Sequence, residues 1–211
     1  MIVLRHENQE LYDRLQEKNL VRQYDLLTTF IEIGLVQGPA AFDKYLLWSL
    51  NHIAVAGISQ FGGRFRNEPI YVGNHTPPHF REVPDLMDRL VSFVHENWYL
   101  APPAYLAAYV LWRLNWIHPF IEGNGRTARA ACYYILCVRS GVLFGGKKIV
   151  PERIRESRSP PDGSADPYVA ALRASDAAWE AGHLDVTAMA AYLAELLQAQ
   201  LAEPREASQG G

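Results

Sequence analysis

The stretch Tyr105–Ile117 is apolar on nearly all sides of a helical period, and a helix of that kind must be enclosed by other elements. Pro102-Pro103 opens it, since proline fits a first helical turn where its missing N–H is no loss. Pro119 closes it by pushing His118 out of the α region. The chain therefore requires a buried central rod, and the rod delivers His118 from the core on a rigid element. A turn, Gly123-Asn124-Gly125, then leads into a second helical stretch. There Ala128, Ala131, Cys132, Ile135 and Leu136 recur at i, i+3, i+4, i+7 and i+8, one buried face of a 3.6-residue period.

Most of the remaining chain reads as helix. Leu11–Lys18 and Tyr24–Ile33 are helical stretches, and Phe42–Val55 follows the break at Gly38-Pro39. Pro84 opens a helix carrying Leu86, Leu90, Phe93 and Val94, and Gly141 ends the helix after the turn. Asp166-Pro167 caps a helix running through Trp179, and Met189, Leu193, Leu196 and Leu197 line a last one. The exception lies between 60 and 74, where Ile70 and Val72 alternate with Tyr71 and Gly73-Asn74 supply turn chemistry, the signal of a short hairpin. The expectation is an all-α bundle with one small β-hairpin, a single domain over 1–203. Within it, N-terminal helices span 8–56, the hairpin about 60–74, the core about 83–140 and C-terminal helices about 151–202. Arg158–Ser164 looks least ordered inside the domain, and 204–211 reads as a disordered tail.

At 211 residues and 49% hydrophobic, the chain can build an ordinary core without staples. Its net charge of −3, from 20 basic and 23 acidic residues, gives no bulk attraction to nucleic acid or to an anionic membrane, so neither is expected as a partner. Cys132 and Cys137 point in different directions on one helix and read as reduced filler. The first apolar run is too short for a signal peptide, and no stretch of about 18 uninterrupted apolar residues exists, so a cytoplasmic location is expected.

His118 to Arg129 packs a proton acceptor, a carboxylate, a flexible turn and two guanidiniums into twelve residues at a helix N-terminus. There the first backbone N–H groups lack intrahelical partners and the dipole is positive, so Gly123, Asn124 and Gly125 can wrap a phosphate with main-chain donors. Arg126 and Arg129, three apart, can both reach a polyphosphate, Glu122 suits a magnesium ion bridging phosphate oxygens, and His118 can act as general base.

This segment resembles the Fic family, whose motif runs His-Pro-Phe-x-Asp/Glu-Gly-Asn-Gly-Arg-x-x-Arg, and the chain carries every specified position. The resemblance implies a Fic-domain helical bundle and a protein adenylyltransferase that moves AMP from ATP to a Ser, Thr or Tyr hydroxyl of a target protein. It implies His118 as base, Glu122 on Mg2+, Gly123, Asn124 and Gly125 on the α- and β-phosphates, and Arg126 and Arg129 steadying the phosphate chain. Gly125, where the related Doc branch has lysine, is similar to the AMP-transferring branch. Transfer of another nucleotide or phosphate-bearing group, removal of AMP, and a nucleotide-sensing scaffold stay open as alternatives. Upstream, Arg64, Ile70, Tyr71 and Val72 look like the family's flap, the hairpin that clamps the target, where an extended segment could add through main-chain hydrogen bonds.

Relatives restrained in cis carry Ser/Thr-x-x-x-Glu-Gly/Asn on an inhibitory helix. Thr28–Ile33 comes close, with Glu32 as the possible brake, although isoleucine replaces the expected glycine or asparagine. Otherwise the chain is unrestrained or held by a separate antitoxin-like partner. Tyr168 opens the helix that lies near the base in relatives and is a candidate adenine contact beside a plain core role. His75 and His79 flank two prolines and read as a surface turn ahead of a zinc site. Trp112 and Trp116 read as core ridges. Gly141 to Lys148 only imitates a phosphate-binding loop, because Lys148 stands where Ser or Thr is required.

Overall fold

The computed structural model describes residues 8–73, 75–145, 148–157 and 166–202. Helix α1, Gln9–Gln37, starts where the Asn8 side chain accepts from Leu11 N and stops at Gly38, whose φ of 65° continues no helix. Two separate stretches were expected over this range; one helix of 29 residues is found. The polar interval hid the continuity. Asn19 and Gln23 are buried, and their amides donate to Ala56 O and Leu50 O across the contact with α2.

Helix α2, Lys44–Ala54, is capped by Asp43, whose side chain accepts from Leu46 N. Helix α3, Val83–Glu96, carries proline in its first turn, as does the central α4, Pro103–Ile117. Helix α5, Asn124–Ser140, begins after Gly123 and ends at Gly141. Then come α6, Val150–Ser157, α7, Pro167–Glu180, with Asp166 accepting from Val169 N, and α8, Thr187–Ala202. The all-α reading stands, and no helix of the described residues is long and apolar enough to cross a membrane.

Helices α4 and α5 form the centre. Leu106–Leu114 is buried throughout, as expected of the rod, but Thr127–Val138 of α5 is equally enclosed rather than buried on one face. The reason is that α1, α2, α4 and α6 all pack on α5. Helix α1 approaches it most closely at Gly34, where a Cβ would stand 2.8 Å from Val138 and closer still to Tyr134. Both cysteines are buried free thiols inside α5.

The hairpin expected at 60–74 contracts. Among the described residues there is no strand, and in this segment Val72 and His75 form an isolated antiparallel bridge around Gly73. The next rung would pair Ile70 with Pro77, which has no N–H to give, so the ladder stops after one rung. Arg158–Ser164 and the tail 204–211 lie outside the described residues, as does Asn74 of the flap turn.

Candidate active site

The rod ends on an unusual backbone. His118 sits at φ 51° and ψ 60°, the one non-glycine residue with positive φ among the described residues. Its N–H still bonds Leu114 O at 3.0 Å, while its ring Nδ1 lies 3.1 Å from Asn115 O. A carbonyl only accepts, so Nδ1 carries the hydrogen and Nε2 keeps its lone pair. Burial holds the imidazole below the ordinary histidine range. The Asn115 bond and Glu122 oppose this, and His75 and Arg66 add to it.

The loop to α5 is closed by its own side chains. Asn124 Oδ1 accepts from Phe120 N at 2.9 Å and its Nδ2 donates to Phe120 O at 2.8 Å, while the Phe120 ring is fully buried against Phe65. The Asn124 side chain is therefore committed to the loop, which leaves its main-chain N–H, with those of Gly125 and Arg126, as the orphan donors of the first turn. Gly123 is required twice over: φ is 81°, and a Cβ would stand 2.6 Å from Val55 Cγ1 and 3.1 Å from Asn51 Nδ2. Gly125 lies under Arg129, with a Cβ position 3.2 Å from one guanidinium nitrogen. Glu122 pairs with Arg126 at 2.9 Å, and Arg126 is anchored on Ala54 O at 2.7 Å.

Two cavities meet here. One, of about 290 Å³, is bounded by His118, Glu122, Gly123–Arg126 and Arg129, with Tyr12 and Gln16 of α1 opposite. The other, of about 720 Å³, runs between the flap residues Val72, Gly73 and His75 and the α7 residues Tyr168, Arg173 and Asp176. His118, Gly125 and Arg129 border both. The small polar cup suits phosphates, and the larger cleft has the room and the mixed lining for a nucleoside.

Of the residues singled out from sequence, His118 to Arg129 converge and Val72 faces the same cleft. Arg64, Ile70 and Tyr71 do not line it, and Tyr71 is 82% exposed at the flap tip. Tyr168 is buried, lines the cleft and accepts from Asn115 Nδ2 at 2.9 Å, so a core role and an edge on the cleft coexist. Glu32 is exposed on α1 and lines neither cavity. His75 donates to a backbone carbonyl and His79 caps a short helix; among the described residues no group of three potential metal ligands occurs.

Sequence reasoning passed over Asn51, gave Arg66 no role at the site and read His75 as part of a surface turn. Asn51 is fully buried, donates to Glu122 O and Thr127 Oγ1 and accepts from Gly63 N, so it ties α2, the glycine turn and the flap base together. An asparagine inside the apolar face of α2 was the available signal.

A histidine presented beside a helix N-terminus with unpaired main-chain donors, in a helical bundle, is an arrangement suited to holding phosphate beside a proton acceptor. Residues 41–136, a little under half of the chain, match the model of the Fic/DOC family. The chain is 35% identical over 117 residues to Protein adenylyltransferase Fic of Drosophila persimilis and 33% to that of Drosophila willistoni, in each case covering 54% of this chain and 23% of the relative. It thus spans under a quarter of the length of these curated relatives. Among solved structures it resembles a Fic domain containing signaling protein from Bacteroides thetaiotaomicron, with TM-score 0.67, 20% identity and coverage of 89% of this chain and 71% of that one. It also resembles Fic-1 (aa134–508) from C. elegans, with TM-score 0.62, 23% identity and coverage of 87% and 49%.

Proposed function

We propose that the protein is an adenylyltransferase that moves AMP from ATP to a Ser, Thr or Tyr hydroxyl of a target protein. The observation that carries this reading is the His118 ring. Its Nδ1 is tied to Asn115, leaving a neutral Nε2 as base at the junction of the phosphate cup and the larger cleft.

In this reading the triphosphate lies against the first turn of α5, where main-chain donors and Arg126 and Arg129 meet the charge that develops during in-line attack at the α-phosphorus. Nε2 takes the hydroxyl proton as the oxygen bonds to phosphorus, and pyrophosphate leaves. Mg2+ fits the donor set. A lone carboxylate, Glu122, faces the cup and would hold the ion together with phosphate oxygens and waters, as is usual for magnesium. The ion would neutralise charge on the phosphate chain. The nucleoside occupies the cleft beside Tyr168, and the target segment lies along Ile70–Gly73, pairing through the backbone the one-rung flap leaves open, with Arg64 and Tyr71 at its edge. The names of the relatives, protein adenylyltransferases, support the same reaction. The chain is restrained in cis by Glu32, restrained by a separate antitoxin-like partner, or unrestrained, and Glu32→Gly raises labelling only in the first case.

The test is intact mass spectrometry after incubation with each of the four nucleoside triphosphates and magnesium, with radiolabelled ATP in parallel. ATP labelled at the α-phosphate should mark the chain itself or a lysate protein, ATP labelled at the γ-phosphate should not, and His118→Ala should abolish the mark while nucleotide still binds. Persistent labelling by the alanine variant removes His118 as base, and transfer of the γ label instead makes the reaction phosphorylation.

A further inference from the structure

The last carbonyls of α4 should be orphans, since a helix C-terminus leaves them without intrahelical donors. Here each is taken. Leu114 O and Asn115 O accept from His118 itself, through its N–H and its ring. Trp116 O accepts from His75 Nε2 at 2.8 Å, Ile117 O from an Arg66 terminal nitrogen at 3.4 Å, His118 O from Arg66 Nε at 2.8 Å, and Pro119 O from Arg66 N at 2.8 Å. The same guanidinium donates to Glu68 O and Pro78 O at the two feet of the flap.

Arg66 is 3% exposed, and among the described residues its side chain donates to backbone carbonyls only. A buried guanidinium without a carboxylate is costly as a stabilising device, whereas its planar fork can grip several carbonyls in fixed directions, and positive charge is favoured at a helix C-terminus. The residue it grips is the one in left-handed conformation.

We infer that Arg66 and His75 are positioning residues: they hold His118 in its left-handed, base-presenting geometry and join it mechanically to the flap segment 66–78. The inference rests on His118 being the base, and it deepens that reading by making the flap part of the device that orients the imidazole. Neither side chain needs to touch the reacting atoms.

Arg66→Lys keeps the charge and the aliphatic stem but gathers its donors on one nitrogen, which cannot span both α4 and the flap feet. It should lower kcat for AMP labelling about 10- to 100-fold while the dissociation constant for Mg-ATP stays within about two-fold. His75→Ala should lower kcat several-fold, and His75→Gln, which returns a donor at similar reach, should restore most of it. A folded Arg66→Lys protein with unchanged kcat, or one whose loss lies wholly in ATP affinity, overturns the inference, as does equal loss in both His75 variants. Imidazole nitrogen NMR of the whole chain gives a readout independent of turnover: wild-type His118 should show the single Nδ1–H tautomer, and Arg66→Lys a mixture. If wild type transfers nothing from any nucleotide, the reaction reading fails, and the tautomer spectra still decide whether Arg66 and His75 set the ring. Identical spectra for the two proteins would count against the clamp.

Discussion

The protonation of His118 is set by where it sits. Desolvation lowers its affinity for a proton below that of a histidine in water, near 6.5. Above that value folded and unfolded chains both carry the ring neutral, and as pH falls below it the unfolded chain takes up the proton first. This residue therefore lowers stability progressively between the unfolded and the folded pKa. Wild type should lose more unfolding free energy than His118→Ala between pH 7 and pH 5, measured by urea denaturation; parallel curves would contradict the burial argument. The labelling rate should stay level as pH drops from 8 through 6.5 and decline only in more acid buffer. A decline already under way at pH 7.5 would mean a base of higher pKa. His118, Glu122 and the arginines were legible in sequence because their chemistry is crowded into one segment. Asn51, Arg66 and His75 were not, since each acts on carbonyls 71, 52 or 41 residues away and carries no local signature of doing so.

Helices that announced themselves did so through their ends. Asp166, Pro103 and Gly141 stand where capping physics wants them. The reading failed where tertiary contact overrides pattern. The polar middle of α1 looked like a gap because the sequence does not show that carbonyls in α2 and just beyond its end await Gln23 and Asn19. The flap looked like a hairpin because alternation is visible and the missing Pro77 donor is easily overlooked. Gly34 belongs to the same class, a poor helix former kept in α1 because α5 comes too near for a methyl group. Alanine there gains about 1 kcal/mol of helix propensity and meets an overpacking cost of about 1–3 kcal/mol. Burial decides the sign. Gly34→Ala should lower the melting temperature by a few degrees and loosen α1 from the cup it borders through Tyr12 and Gln16. A higher melting temperature would show that Tyr134 yields.

No single element owns the proposed nucleotide site. Its walls come from α1, the flap, the α4–α5 junction and α7, which are distant in sequence and meet only in the folded chain. Binding should therefore stabilise the whole fold. At Mg-ATP about a hundred times its dissociation constant, linkage gives about 2.7 kcal/mol, which for a chain of this size is about 5–11 °C in melting temperature. The shift should grow with the logarithm of ligand concentration in calorimetry and persist in His118→Ala. A flat response at millimolar Mg-ATP would mean the cup does not bind the triphosphate. Net charge and helix content were readable at this scale from composition and period. The meeting of four segments around one cleft was not, because it depends on contacts no local pattern encodes.

A side chain bearing a Cβ in left-handed backbone costs roughly 1–2 kcal/mol, and His118 occupies that conformation. Glycine would adopt it freely, but it would leave Asn115 O without the bond that the ring Nδ1 makes, a loss of similar size, about 1 kcal/mol. In a lineage that ceased to use the proposed chemistry, glycine or asparagine at this site would therefore cost the fold little, which makes this position a natural gauge of whether a given copy still uses it.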